Sequence, residues 1–320
     1  MERKLISIMT PCYNEEENVE ALYLAVKQEF AKMERYEYEH VFIDNNSTDG
    51  TQDILRRLAG ADKNVKVILN SRNFGQFMSP YYGLLQSTGD AVISMACDFQ
   101  DPPDMICKFI ERWEQGFKIV IGVKSSSKEN KLVYATRTAY YKFLRKISDT
   151  ELVDNFTGFG LYDKTVIEIL KKIDEPLPFI RGLICEIGFE KAIIQFEQPL
   201  RIRGLTKNNV SSLYDAAMLG VTSYSRMPLR IAAILGFIIA TGSILVAITY
   251  FIIKLIMWDN FLLGQAPNTI GLFFFGAVQL FFIGILGEYI GIILVKINKR
   301  PLVIERERIN FEKDENGKQG

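Results

Sequence analysis

Histidine is almost missing from this chain: His40 is the only one in 320 residues. A serine–histidine–aspartate nucleophile needs a histidine base, and histidine-rich zinc sites need several. Acid–base and metal work therefore falls to carboxylates and amides. His40 itself opens an apolar run (HVFIDNN) and reads as a strand-edge residue without a role. The four cysteines, Cys12, Cys97, Cys107 and Cys185, lack metal-ligand spacing and read as reduced core thiols. Excess charge is absent too, since 38 basic residues balance 38 acidic ones, and nothing points to a nucleic-acid partner. There is no Walker loop and no G-x-G-x-x-G, so no glycine-rich loop grips phosphates. No apolar signal segment precedes the opening strand-like run MERKLISIMTP, and the first two-thirds of the chain holds no long apolar stretch.

Two such stretches come later. Leu229–Ile253 carries one charge, Arg230, and Ile270–Val295 carries one, Glu288. About 20 apolar residues at about 1.5 Å each cross a bilayer core of about 30 Å. Two in tandem predict membrane helices, with a water-facing domain held at the bilayer. Arg226 and Arg230 precede the first, and Lys296, Lys299 and Arg300 follow the second. The positive-inside rule then puts the 258–268 loop outside and both ends in the cytoplasm. Small residues on these helices (Gly236, Ala240, Gly284, Gly287, Gly291) suggest pairing between chains in a homo-oligomer.

Residues 1–125 alternate between two periods. Leu5–Met9, Val41–Asp44, Val65–Leu69, Ala91–Ala96 and Lys118–Gly122 are short apolar runs of the kind found in buried parallel strands. Helical patterns separate them: Glu15–Met33 with one apolar face, a short helix opened by Asp49 and Gly50, then Gly75–Ser87 and Pro103–Gln115. This order predicts an α/β fold whose ligands collect at the carboxyl ends of the strands. Polar clusters stand at those ends, at 10–15, 44–51, 71–75 and 98–103. Each alone is ordinary turn chemistry. Four in succession argue for a shared crevice. Farther on, 192–197 reads as a strand, 201–207 as a basic turn and 211–225 as an amphipathic helix at the membrane surface. The tail Glu305–Gly320 is charged and reads as loosely ordered.

The motifs P-C-Y-N-E-E at 11–16, D-N-N-S-T-D-G-T at 44–51, S-R-N-F-G at 71–75, G-D-A-V-I at 89–93 and D-F-Q-D-P-P at 98–103 resemble family 2 glycosyltransferases of the GT-A fold. D-N-F-T-G-F-G-L-Y-D at 154–163, R-G-L at 181–183, R-x-x-G-x-T-K at 201–207 and G-E-Y-I-G at 287–291 extend the match. The series resembles the polyprenyl-phosphate glycosyltransferases, bactoprenol glucosyltransferases of the GtrB type above all and dolichyl-phosphate mannose synthase more distantly.

The resemblance implies a GT-A-type, Rossmann-like, mostly parallel sheet domain over 1–205 and an amphipathic juxtamembrane helix over 206–228. Membrane helices over 229–257 and 269–296 would flank the external loop 258–268, and 297–320 would be a cytoplasmic tail. The implied reaction is inverting transfer of a hexose, glucose from UDP-glucose, to undecaprenyl phosphate at the cytoplasmic face of the membrane. GDP-mannose, UDP-GlcNAc and UDP-galactose are the alternative donors. Pro11, Tyr13, Glu15, Asp44 and Arg72 would hold the nucleotide sugar. Asp98 and Gln100 would hold Mg²⁺ or Mn²⁺, which favour hard oxygen ligands. Arg201 and Lys207 would receive the acceptor phosphate. Asp98, Asp101 and Asp154 are the catalytic candidates. One departure stands out: Ala96 occupies the first position of the family's D-x-D-x-Q, which admits a catalytically impaired nucleotide-sugar-binding homologue as the second reading. A processive polysaccharide synthase would need more spans and a Q-x-x-R-W motif, and neither is present.

Overall fold

A computed structural model describes residues 3–126, 153–199, 218–222, 225, 227–256, 265–298 and 300–311. Strand–helix alternation is as the apolar pattern requires: β1 (Lys4–Cys12), α1 (Val19–Ala31), β2 (Tyr36–Asp44), α2 (Thr51–Ala61), β3 (Val65–Asn70), α3 (Gly75–Gln86), β4 (Ala91–Ser94), α4 (Met105–Glu114) and β5 (Ile119–Ser126). After the undescribed segment come β6 (Phe156–Asp163), α5 (Lys164–Ile173), α6 (Ile180–Glu186) and β7 (Lys191–Glu197). Two long helices follow, α7 (Met227–Ile256) and α8 (Gln265–Ile297), and then β8 (Glu305–Ile309).

The strands form one eight-stranded sheet in the order β7-β5-β6-β4-β1-β2-β3-β8. β1 runs parallel to β2 and β4, β2 to β3, and β5 to β7; β6 and β8 run antiparallel to their neighbours. Central strands are apolar on both faces because helices cover both. Val19, Leu22 and Val26 of α1 pack with Leu55 and Leu58 of α2 on one face. Tyr81 and Leu84 of α3 pack with Val166 and Leu170 of α5 on the other. Gly89 is required at the turn into β4, since a Cβ there would lie 2.7 Å from the Ser7 amide nitrogen. No such contact survives between real atoms, so the sheet admits only glycine at this turn.

α7 and α8 contain the stretches Met227–Val246 and Phe274–Ile297, both long and apolar enough to cross a membrane and neither buried within the protein. A soluble core helix would be covered; these expose Phe237, Leu245, Leu272 and Leu280. Residues 218–222 are helical, and the rest of the expected juxtamembrane helix lies almost wholly outside the described residues.

Two expectations change. His40 is not at a strand edge: it is fully buried within β2, stacked 3.9 Å from the Phe42 ring. Burial pushes its pKa down to about 3, so the ring is neutral. The expected loose tail is ordered at its start, because 305–309 follow the two apolar helices and pair with β3 as the last strand. The sheet therefore draws on chain from before and after the two apolar helices.

Candidate active site

The carboxyl ends of β1, β2, β3 and β4 lie along one edge of the sheet, and the loops there are tied to one another. Asn14 adopts a left-handed conformation (φ 55°), which turns the chain sharply after β1. Its amide donates to Ser47 Oγ at 2.8 Å, and its Oδ1 accepts from the Thr48 amide at 2.7 Å. The Glu15 amide donates to Thr51 Oγ1 at 2.8 Å, and the Gly50 amide donates to Glu16 Oε2 at 2.7 Å. The β1–α1 and β2–α2 loops are thus one stitched unit. Asn45 extends it to the third loop by donating to Asn73 Oδ1 at 2.9 Å and accepting from the Phe74 amide at 2.8 Å.

Asp44 ends β2 with no exposed surface. One carboxylate oxygen accepts from Ser47 Oγ; the other accepts from the Ser47 amide at 3.0 Å and from Gln52 Nε2 at 2.8 Å. A carboxylate offers about four lone-pair sites, and three donors on this one hold the group rigidly. Pro11 stands beside Ile43 in the β1–β2 register, with Tyr13 and Glu15 following on the loop, all half-buried. Glu15 Oε2 accepts from Asn18 Nδ2 at 2.7 Å. Arg72 is exposed on the third loop with its guanidinium 4.0 Å from the Phe74 ring, and it donates to Asn73 O. These five residues share one edge, with Arg72 at its rim.

The β4–α4 loop carries the acidic motif. Phe99 is left-handed (φ 61°), and the Gln100 amide donates to Asp98 Oδ1 at 3.2 Å. Asp101 is buried and accepts from the Ala96 amide at 2.9 Å. Burial pushes the Asp101 carboxyl up to about 6, with the Ala96 amide and Lys124 acting against the rise and Asp98 adding to it. Asp154 lies two residues before β6, whose antiparallel course beside β4 brings that end to the same edge of the sheet. Asp98, Gln100, Asp101 and Asp154 are therefore collected by topology. Arg201 and Lys207 lie outside the described residues.

Sequence reading missed three participants. Ser47 and Gln52 hold Asp44, and the charge of Lys124 acts to lower the Asp101 carboxyl. Ser47 was visible inside the 44–51 cluster. Gln52 stands one residue beyond it, on the first turn of α2, and Lys124 is an isolated lysine in a strand. Neither gives a local signal.

A cleft of about 880 Å³ lies at the opposite, amino-terminal edge, lined by Tyr36, Tyr38, Lys63 and Lys66 among others. It touches none of the loops just described. Open α/β sheets place ligands beyond the carboxyl ends of their strands, and chemistry outweighs volume here.

This sheet, with an acidic turn after β4 and a buried carboxylate at the end of β2, is the frame of a glycosyltransferase. The chain belongs to glycosyl transferase family 2, whose match covers residues 7–170, and it is a glycosyltransferase. It is similar to the bactoprenol glucosyl transferase of Shigella phage SfX, with 34% identity over 95% of this chain and 99% of that one. It is similar also to the prophage bactoprenol glucosyl transferase homolog of Escherichia coli K12, with 34% identity over 93% of this chain and 97% of that one. Glucosyl-3-phosphoglycerate synthase from Mycobacterium tuberculosis, solved with Mn²⁺, uridine diphosphate and phosphoglyceric acid, covers 68% of this chain and 76% of its own at 16% identity. The two structures superpose with a TM-score of 0.45.

Proposed function

We propose that this glycosyltransferase moves one glucose from UDP-glucose to undecaprenyl phosphate at the cytoplasmic face of the membrane, with inversion. One observation carries the reading: the likeness to a bactoprenol glucosyl transferase spans 95% of this chain and 99% of the relative, apolar helices included. A nucleotide-sugar site on a domain tied to two membrane-length helices suits a water-soluble donor and a lipid acceptor.

In this reading Pro11, Tyr13, Glu15 and Asp44 receive the base and ribose, and Arg72 closes over the rim. A phosphate monoester has its second pKa near about 6 and is mostly dianionic at neutral pH. It attacks the anomeric carbon directly: the new phosphate-oxygen–carbon bond forms on one face while the bond to the diphosphate breaks on the other. No proton has to be removed, so Asp101 and Asp154 serve by orientation. Arg201 and Lys207 are proposed to receive the acceptor phosphate beside the bilayer.

The residues present fit a hard divalent cation, Mg²⁺ or Mn²⁺, held at Asp98 and Gln100. The donors are one carboxylate and one amide oxygen, and among the described residues no group of three or more His, Cys, Asp or Glu is arranged around a common point. A site this sparse suits an ion that takes its remaining ligands from substrate phosphates and water. When bound, such an ion offsets the charge on the departing diphosphate. Ala96 turns its amide to Asp101. That contact needs no side chain at 96, so the placement of Asp101 does not depend on the missing first carboxylate.

The test is a donor panel with purified full-length protein, undecaprenyl phosphate and Mg²⁺ or Mn²⁺. Glucosyl lipid should form from UDP-glucose in preference to UDP-galactose, UDP-GlcNAc or GDP-mannose. Donor binding without any lipid product would overturn the reading. For orientation, a cysteine placed in the 258–268 loop should react with an impermeant reagent outside intact cells, and labelling of the sheet domain instead would reverse it.

A further inference from the structure

β8 is reached only after the chain has passed through both apolar helices, yet it docks beside the candidate nucleotide site. Its pairing with β3 is irregular in one place: Leu69 faces Glu307 and Asn70 faces Glu305, leaving Arg306 as an extra residue. Such a bulge breaks the alternation of faces and re-aims a side chain. The contacts show the effect. Glu305 accepts from Tyr82 Oη of α3 at 2.8 Å, on one face of the sheet. Arg306 and Glu307 both turn to the other face, where Glu307 accepts from Arg56 of α2 at 2.9 Å. Arg308 then returns to the α3 face and donates to Gln86 at 2.7 Å. In an unbroken strand Arg306 would point to α3. The bulge brings it to α2.

There the Arg306 guanidinium donates to Gln52 Oε1. With its oxygen engaged, the Gln52 amide turns its nitrogen inward, where Nε2 donates to Asp44 Oδ2 at 2.8 Å and to Ser47 O at 3.1 Å. An amide whose two ends are interchangeable in shape is fixed in one orientation by a cation on one side and a carboxylate on the other. If the amide flipped, its oxygen would face the Asp44 carboxylate. We infer that Arg306, acting through Gln52, is a positioning residue for Asp44, so that the nucleotide site is completed by the strand that follows the membrane helices. This rests on the assignment of Asp44 to the nucleotide.

The experiment measures UDP binding by titration calorimetry on the full-length protein in detergent with Mg²⁺. Arg306→Ala should weaken UDP about tenfold, the scale of one charged hydrogen bond, and Arg306→Lys should recover most of it. Gln52→Ala should cost at least as much, and the double variant should be no worse than Gln52→Ala alone, as expected of residues acting in series. Glu307→Ala, which loses the Arg56 contact of the same strand but leaves the relay intact, should bind UDP as wild type does. Equal losses in Arg306→Ala and Glu307→Ala would reduce the effect to strand docking and overturn the proposal. So would wild-type affinity in Arg306→Ala when Asp44→Ala has lost UDP. Wild-type affinity in Asp44→Ala would instead overturn the nucleotide assignment itself.

Discussion

The two ends of the sheet bury carboxylates in opposite ways. Toward the amino ends Glu39 accepts from Ser7 Oγ at 2.5 Å, from the Thr88 amide at 2.7 Å and from Thr88 Oγ1 at 2.8 Å, and it pairs with Lys66 at 2.5 Å. Burial acts to raise this carboxyl, but Lys66, Ser7 and Thr88 outweigh it and hold the group below its usual range. Toward the carboxyl ends Asp101 is buried too, and there burial wins, pushing it up to about 6. The ion pair with Lys66 is what separates the two: Glu39 has a cation in contact, and Asp101 is held chiefly by the Ala96 amide. A carboxyl pushed up by burial beside strand ends is a candidate for function, not a proof of it.

The sharpest way to break this contrast is to remove a group from each end. Asp98→Ala should lower lipid glucosylation by about a thousandfold or more, the scale of losing a charge-stabilising element, while leaving the melting temperature unchanged. Near-normal turnover would take Asp98 out of the mechanism. Glu39→Gln should do the reverse, because it leaves Lys66 without its partner: a loss of about 3 kcal/mol in stability, with near-normal turnover in the protein that stays folded. Thermal unfolding of the full chain checks it.

That prediction carries a pH dependence. The Glu39 carboxyl is held low in the fold, so its contribution is fully present above the ordinary glutamate pKa of about 4.3. It is lost as pH falls through the lower folded value. The gap between wild type and Glu39→Gln should narrow below about pH 4, and a constant gap would refute the pairing. The smallest expected effect is at Ala96. Ala96→Asp restores the family's first acidic position, keeps the amide contact to Asp101, and should lower the Mg²⁺ or Mn²⁺ concentration for half-maximal rate severalfold. An unchanged requirement would place residue 96 away from the ion.

Much of this contrast was legible in the sequence at one end only. Strands and helices through residue 126 announced themselves because covered parallel strands must be apolar, and the polar clusters at their ends marked the crevice. β6 was obscured by Gly158 and Gly160 within Phe156–Asp163. β8 was hidden for a different reason. Glu305, Arg306, Glu307 and Arg308 meet their partners on α2 and α3 through polar contacts, so the strand has no apolar stripe and looks like a solvated tail. Long-range pairing of that kind leaves no local period. The same is true of Glu39, whose partners Ser7, Lys66 and Thr88 are scattered along the chain.

The claim that function belongs to the carboxyl edge is tested most directly by a structure of the full-length protein with UDP and Mn²⁺. The account predicts the nucleotide against Tyr13 and Asp44, with its diphosphate directed toward Asp98. UDP in the cleft of about 880 Å³ lined by Tyr36, Tyr38 and Lys63 would contradict it.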